Sequence, residues 1–266
     1  VEVGAGDGTL ARQLLAATSA LPVRYVAVEV GEGVRDALHA IDGVTALASP
    51  PEAADLVLAH ELLDNLPFRV VRGGREVRVA LAPDGTLVEE EVPLDEALRA
   101  LGPPADGVVP IGALAFVDRL ADVLDPGYAL LIDYGGVRAP GGDVHGYRGH
   151  RVVEDVLADP GETDVTAGVD MALVAERARG TGLEPHGPWT QHDALMALGF
   201  ERWIRVELAR QHELLDARDG LGAVRAWSGR SRSTLLVDPG GLGRLRWLLL
   251  ASPGLPVPAW AASLEG

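Results

Sequence analysis

The chain opens with a short β-branched run that leads directly into three glycines at alternate positions, Gly4, Gly6 and Gly8. Leucines at helical spacing follow, so the segment predicts a strand, a tight turn and the N-terminus of a helix. Glycine has no Cβ and tolerates positive φ, which lets a ligand lie against the bare backbone of such a turn. The opening therefore predicts an α/β fold with a ligand site at the end of its first strand.

Two acidic residues flank this turn. Glu29 follows the second predicted strand, 24–28, where a carboxylate can accept hydrogen bonds from two ribose hydroxyls of a nucleotide-type cofactor. Glu2 lies beside the turn and favours a ligand with an ammonium and a sulfonium over one with a pyrophosphate. A dinucleotide fingerprint would place its third Gly or Ala at Thr9, so the spacing disfavours NAD without excluding it. The alternative is that the glycines only form a turn and that Glu2 is solvated.

Composition removes several classes of function. The net charge of −16 over 266 residues disfavours a nucleic-acid partner, which needs a basic surface. The sequence contains neither cysteine nor lysine, which excludes disulfides, cysteine-based metal sites, a thiol nucleophile and a Schiff-base lysine. No apolar run has the length of a membrane span. The first residue is Val and already lies in a predicted strand, so we expect a truncated N-terminus; a cytoplasmic location is the default expectation.

Predicted strands alternate with predicted helices beyond the opening, which is the pattern of a parallel sheet joined by right-handed crossovers. The segment 55–59 is apolar after its first residue, as expected of a buried parallel strand. A later strand, 128–133, ends at Asp133-Tyr134. The other predicted core elements are strands at 44–46, 233–237 and 245–251, and helices at 34–41, 111–123, 169–179 and within 190–228.

Three strand-like runs interrupt this alternation, at 68–71, 76–81 and 86–92. The turn signals Gly73-Gly74 and Pro83-Asp84-Gly85 separate them. These signals predict an antiparallel meander inserted into the α/β pattern. Residues 135–170 are rich in glycine, histidine and arginine and are predicted to be rich in loops.

The segment 60–67 follows the strand at 55–59 and is the second motif with chemical content. Glu61 and Asp64 are three residues apart, so on a helical turn they would share one face. Two carboxylates at the carboxyl end of a strand suit a guanidinium, whose planar fork pairs bidentately. The alternative is a helix N-terminus with favourable acidic residues. A zinc helix would need a second histidine after His60, which is absent, so no metal site is expected.

Taken together, residues 1–10 and 60–67 resemble the MidA-like family of S-adenosylmethionine-dependent methyltransferases, which includes an arginine methyltransferase of mitochondrial complex I assembly. Two departures are His60, where the family usually has Asn, and the lack of the helical segment that precedes the first strand in the family. The similarity continues, in family order, through 131–135, 146–150, 160–167, 190–191 and 198–199.

The resemblance implies a class I methyltransferase (Rossmann-like) fold, with a mostly parallel seven-stranded sheet flanked by helices and an antiparallel last strand. It implies one domain over residues 1–266. Within that domain we expect insertions at about 67–100, the β meander, and at about 136–230, a loop followed by helices.

The implied cofactor is S-adenosylmethionine and the implied acceptor is an arginine of a protein substrate, such as a respiratory or other assembly subunit. Alternatives are a small-molecule or other acceptor, and a cofactor-binding assembly factor with weak or no catalysis. The segment 146–167 is unusually polar and is expected to form part of the acceptor pocket; its polar residues are Tyr147, Arg148, His150, Glu162 and Asp164. The expected cofactor-binding residues are Glu2, Gly4, Ala5, Gly6, Gly8, Glu29 and His60, and the expected catalytic residues are Glu61 and Asp64, followed by Asp133 and Tyr134.

Overall fold

The computed structural model describes residues 1–136, 144–149 and 151–265, so His150 lies outside the described residues. Strands and helices alternate over residues 2–47, as the sequence predicts, and the next strand, 54–60, follows without a helix between them. The strands are β1 Glu2–Val3, β2 Tyr25–Val28, β3 Val44–Leu47, β4 Ala54–His60, β5 Arg69–Arg72, β6 Arg75–Leu81, β7 Leu87–Pro93, β8 Gly107–Val109, β9 Leu124–Asp133, β10 Gly135–Gly136, β11 Val144–Arg148, β12 Arg151–Val153, β13 Asp164–Ala167, β14 Val169–Asp170, β15 Glu184–Thr190 and β16 Arg246–Ala251.

Side-chain caps begin several of the helices. The Asp170 carboxylate accepts the backbone N–H groups of Ala172 and Leu173, and the Thr190 hydroxyl accepts that of Asp193. In the described part of the chain, no helix combines the length and the apolar character that crossing a membrane requires. The helices are α1 Thr9–Ala17, α2 Glu32–His39, α3 Glu96–Ala100, α4 Ile111–Val123, α5 Met171–Gly180, α6 Gln191–Ala197, α7 Phe200–Asp216, α8 Gly220–Ser233 and α9 Ala259–Ala262.

Seven strands form the central sheet in the order β15-β16-β9-β4-β1-β2-β3. The pairs from β9 through β3 are parallel, and β16 is antiparallel to both of its neighbours. Leu131 of β9 and Leu248 of β16 are fully buried in the largest core cluster, together with residues of α4 and α5. The mostly parallel sheet with an antiparallel last strand confirms the predicted fold.

One strand of this sheet, β15, was not predicted, and one predicted strand is a helical turn instead. β15 contains Pro185, Gly187 and Pro188, which hide its strand pattern, and its ladder with β16 is irregular between His186 and Trp189. The predicted strand at 233–237 is wrong, because this segment forms a single-turn 3₁₀ helix, Thr234–Val237. A short apolar run does not distinguish a strand from a helical turn by periodicity alone.

Among the described residues, three smaller sheets lie outside the central one, and the smallest is the parallel pair β10–β14. The predicted meander is confirmed as β7-β6-β5, and β8, which was not predicted, extends it on the β5 side. Residues 135–170 were predicted to be rich in loops; in the part of this segment that the structure describes, β11, β12 and β13 form an antiparallel sheet that was not predicted. A Cβ at Gly146 of β11 would lie 2.8 Å from Val156 Cγ1 and 2.9 Å from Thr163 Cγ2. Glycine at this position therefore allows the segment to pack closely.

Candidate cofactor and acceptor site

The glycine turn connects β1 to α1, and its three glycines have φ values of 76° at Gly4, 53° at Gly6 and 73° at Gly8. A Cβ at Gly8 would overlap Ile41 Cδ1 and lie 2.8 Å from Leu38 Cδ2, so this glycine is needed for packing. A Cβ at Gly6 would meet no atom within 4 Å. The middle glycine therefore faces open space, where a ligand can approach its backbone.

Glu29 lies at the edge of this turn and is bound to it. Its Oε2 accepts the backbone N–H of Gly6 at 3.1 Å, and its Oε1 accepts that of Val30 at 3.0 Å. Because a carboxylate offers about four acceptor positions, two remain for ligand hydroxyls. Val30, which the sequence analysis did not single out, is 86% exposed and presents an apolar surface beside the carboxylate. Hydroxyl acceptors next to an apolar surface fit the ribose and base of a nucleoside.

Glu2 and Ala5 lie on the protein side of the turn. Glu2 is only 4% exposed, and its Oε2 accepts the Tyr25 hydroxyl at 2.5 Å, so the alternative of a solvated Glu2 is wrong. Burial raises the pKa of the Glu2 carboxyl. Ala5 packs in the core with Leu38, and its carbonyl accepts the Gly8 N–H at 3.1 Å. A direct cofactor contact for Glu2 stays a prediction.

The second motif leaves the sheet beside the glycine turn, since β1 pairs with β4 in a register that places Val3 opposite Ala59. His60 ends β4, and its Nε2 lies 3.6 Å from Glu61 Oε1. Glu61 has a φ of 51°, a left-handed conformation that is costly for a residue with a side chain, and its N–H donates to the carbonyl of Ile132 at 2.8 Å. The strand thus turns sharply at Glu61, at the edge of the glycine-turn site.

The prediction that Glu61 and Asp64 share a helical face is wrong. Glu61 has a left-handed backbone conformation and precedes the single-turn 3₁₀ helix Leu63–Asn65, whereas Asp64 lies within that helix. Both side chains nevertheless line the same cavity, because the turn at Glu61 directs the chain back across the strand end.

Asp64 and Asp133 form a buried pair of carboxyl groups. Asp133 is fully buried; its Oδ2 accepts the N–H of Leu63 at 2.6 Å and its Oδ1 accepts that of Tyr134 at 2.8 Å. Asp64 is 7% exposed, its carboxylate accepts the Asn65 amide at 2.8 Å, and its backbone N–H donates to Asp133 Oδ2 at 3.4 Å. Full burial, with both oxygens on backbone N–H groups, favours a role for Asp133 in positioning the Asp64 turn, and a direct catalytic role stays a prediction.

Burial, and then the charge of Asp64, raises the pKa of Asp133 to about 7. The folded state therefore keeps a proton that the unfolded chain releases at about pH 4, and the associated stability is lost as the pH rises towards 7. We expect the free energy of unfolding to fall by about 2 kcal/mol between pH 5.5 and 8 through this group. Urea unfolding of Asp133→Asn, which removes the titrating group, should show a correspondingly flatter profile. Parallel profiles for the wild type and the variant would contradict this assignment, and exposed Asp55→Asn is the matched control.

A cavity of about 1050 Å³ opens beside this pair and collects residues from distant parts of the sequence. Tyr147 pairs with Asp164 and His145 pairs with Thr166 in the ladder between β11 and β13. Residues two apart on a strand point to one face, and all four line the cavity. The ladder thus adds a third carboxylate, Asp164, to Glu61 and Asp64.

Tyr134, an expected catalytic residue, lines the same cavity. Burial and then the negative charge of Glu61 raise the pKa of its hydroxyl. Arg148 is used structurally: its guanidinium donates to Asp159 at 3.0 Å and to Thr163 at 2.9 Å. Of the polar segment, Tyr147 and Asp164 line the cavity, whereas Arg148 fixes the neighbouring loop and Glu162 is exposed and does not line the cavity. A role of the segment in binding the acceptor stays a prediction.

Curated relatives match the chain over part of their own length. The zebrafish "Protein arginine methyltransferase NDUFAF7, mitochondrial" (Danio rerio) is 31% identical over 192 residues, covering 64% of this chain and 42% of the relative. The mouse protein of the same name (Mus musculus) is 32% identical over 183 residues, covering 63% of this chain and 41% of the relative. The chain thus spans about two fifths of the length of these relatives. The expected cytoplasmic location is contradicted, since both relatives are named as mitochondrial proteins.

Solved structures agree over nearly the whole chain. A protein from Burkholderia thailandensis crystallised with S-adenosyl-homocysteine has a TM-score of 0.77 and 26% identity, and the alignment covers 97% of this chain and 72% of that one. A native crystal structure of a protein from the same organism has a TM-score of 0.79 and 26% identity, covering 98% and 75%.

A family model described as "Putative S-adenosyl-L-methionine-dependent methyltransferase" matches residues 1–189. That match extends over more than half of the sequence and contains the glycine turn, the acidic residues Glu61 and Asp64, and the β11–β13 ladder. The expected family and the expected fold are confirmed, and the chain belongs to this family of S-adenosylmethionine-dependent methyltransferases.

Proposed function

We propose that this chain transfers a methyl group from S-adenosylmethionine to an arginine of a protein substrate. One observation carries the proposal. The parallel register of β1 and β4 brings the open glycine turn and an acidic cavity to the same edge of the sheet. In open α/β sheets ligands bind at the carboxyl ends of the strands, which is where both features lie. The arginine methyltransferases among the relatives support the same acceptor.

The cofactor site fits S-adenosylmethionine in its residues. Gly6 leaves the backbone open, Glu29 offers acceptor positions to ribose hydroxyls, and Val30 offers an apolar surface to the base. When bound, the cofactor supplies an electrophilic sulfonium methyl; the guanidinium nitrogen that takes this methyl loses one proton, and the C–S bonding pair stays with S-adenosylhomocysteine. His60, where the family usually has Asn, stays a proposed contact at this edge.

The acidic side of the cavity positions the acceptor. Glu61, Asp64 and Asp164 present three carboxylates that can hold a guanidinium through charge-assisted hydrogen bonds. Burial, and then the charges of Glu61 and Asp164, raises the pKa of Asp64, so this carboxylate is suited to accept the departing proton. Holding the guanidinium in line with the methyl group supplies the proximity on which the rate depends.

Calorimetry and labelled transfer test the proposal. We expect the protein to bind S-adenosylmethionine and not NAD, and to transfer a tritiated methyl group to an arginine peptide but not to its lysine twin. Binding without any transfer would contradict catalysis and favour an assembly factor. Label on lysine or on small molecules would contradict the arginine acceptor.

Glu29→Ala is expected to weaken S-adenosylhomocysteine binding by about 1–3 kcal/mol, because a charged hydrogen-bond acceptor is lost. The variant also removes the acceptor for the Gly6 N–H, which loosens the turn. Calorimetric titration measures the change directly. Glu32→Ala, an exposed glutamate three residues later in α2, is the matched control and should bind as the wild type does. Equal affinities for Glu29→Ala and the control would exclude Glu29 from the site.

A further inference from the structure

The cavity has a basic side as well as an acidic one. Arg244 ends a single-turn 3₁₀ helix, Leu242–Arg244, and Arg246 begins β16. Both arginines line the same cavity as Glu61 and Asp64. The Arg244 guanidinium carbon lies 5.8 Å from the centre of the Tyr134 ring, so Tyr134 is adjacent to the basic side.

The position of Arg246 is set by the central sheet. It pairs with Asp133 on β9 and with Thr190 on β15, so the strands on both sides hold its backbone. Its Nε is buried and has no hydrogen-bond partner among the described residues. A buried donor without a partner is unfavourable, and an anionic ligand that the side chain could reach would satisfy it.

Other arginines of the chain are used differently. Arg69 pairs with Glu76 and Asp95, and Arg177 donates two hydrogen bonds of 2.6 Å to Asp118. Over the described ranges, neither Arg244 nor Arg246 has an ion-pair partner of this kind. In a chain of net charge −16, two such cations in one cavity form a local site for a negative group.

We propose that Arg244 and Arg246 bind a carboxylate carried by the acceptor, so that the preferred substrate has an acidic group close to the arginine that is methylated. This inference rests on the proposed function. An acceptor whose guanidinium binds the three carboxylates and whose own carboxylate binds the two arginines would lie across Tyr134 in a single orientation. Planar arginine forks favour a carboxylate because they can bind it bidentately. The cavity, about 1050 Å³, is large enough for several residues of a peptide.

Binding measured without turnover tests the proposal. The probes are acetylated, amidated peptides that contain one arginine and one glutamate. The glutamate lies one to four residues before or after the arginine, and in a matched neutral twin of each peptide glutamine replaces it. Free L-arginine and its amide test whether a main-chain carboxylate serves instead. With protein loaded with S-adenosylhomocysteine, we expect at least one acidic probe to bind about 10-fold more tightly than its neutral twin, the scale of a charged hydrogen bond.

The variants Arg244→Gln and Arg246→Gln should each lower this ratio to about twofold or less. Arg232→Gln, an exposed arginine of α8, is the matched control and should keep the full ratio. Circular dichroism and S-adenosylhomocysteine affinity report whether each variant is folded. If Arg246→Gln does not fold, Arg246→Lys replaces it, and the loss of bidentate binding should still reduce the ratio.

Equal affinities for every acidic and neutral twin would overturn the carboxylate site, as would variants that keep the full ratio. Labelled transfer is measured on the same probes, so the two proposals fail separately. A binding preference without transfer to any probe contradicts the methyltransferase function and leaves the carboxylate site standing. Methyl transfer without any binding preference for the acidic probes contradicts the carboxylate site and leaves the methyltransferase function standing.

Discussion

Asp64→Asn should slow methyl transfer to an arginine peptide about 100-fold, while S-adenosylhomocysteine binds as it does to the wild type. The amide keeps the shape of the side chain, and the backbone N–H groups at positions 63 and 64 still donate to Asp133, so the turn at Leu63–Asn65 is expected to stay folded. It lacks the negative charge that orients the guanidinium and accepts its proton. Single-turnover transfer with tritiated cofactor, combined with calorimetry, separates the two effects.

Asp55→Asn is the matched control for this variant. Asp55 lies near the start of β4, at the opposite end of the strand from Glu61, and is exposed. The control should transfer methyl groups at the wild-type rate. Transfer at the wild-type rate by Asp64→Asn would show that Asp64 does not take part in the acceptor site. An equal loss of cofactor affinity would show that Asp64 contributes to the cofactor site instead.

The second large effect is expected from two separate substitutions in the glycine turn, Gly8→Ala and Gly6→Ala. Gly8→Ala should lower the free energy of unfolding by about 2–4 kcal/mol, because a left-handed alanine is strained and its Cβ forces Ile41 and Leu38 to move. Gly6→Ala faces open space and should cost only the backbone strain, about 1–2 kcal/mol. Its methyl group projects into the space proposed for the cofactor, so affinity should fall about 10-fold or more.

Urea unfolding and S-adenosylhomocysteine titration of both variants measure these effects. Gly33→Ala in α2 is the matched control: its Cβ meets no atom within 4 Å and its φ is not positive. Alanine favours a helix over glycine by up to about 1 kcal/mol, so this control should be at least as stable as the wild type. Full cofactor affinity in Gly6→Ala would show that the ligand does not approach this part of the turn.

Local patterns predicted most of the fold correctly. The prediction of helix 111–123 is matched by α4, Ile111–Val123, because apolar residues at helical spacing precede a proline-glycine stop. The meander was recognisable from its turn residues, which act within a few positions. The prediction failed at β15 and at Thr234–Val237. Prolines hid the strand in one case, and a four-residue apolar run was ambiguous in the other.

The candidate site also contains residues that could be predicted from local patterns and residues that could not. Gly6 and Glu29 were predicted because a strand-turn-helix and the acid after the next strand are close in sequence and obey a known geometry. Asp133 was singled out as a catalytic residue, but its full burial and its backbone partners are tertiary facts. Val30, Arg244 and Arg246 carried no local signal beyond their residue type.

The family was predictable from the resemblance, and the parallel α/β core and the end of the sheet that carries the glycine turn and the acidic segment were predictable from short-range patterns. The presence of Asp164 and of two arginines in the same cavity as Glu61 and Asp64 became apparent only from the three-dimensional arrangement. Asp164 lies in the β11–β13 ladder and Arg246 in the β9–β16 ladder, and the pairing of both ladders depends on side-chain packing between distant segments. Pairing of that kind leaves no periodic signal in any one segment.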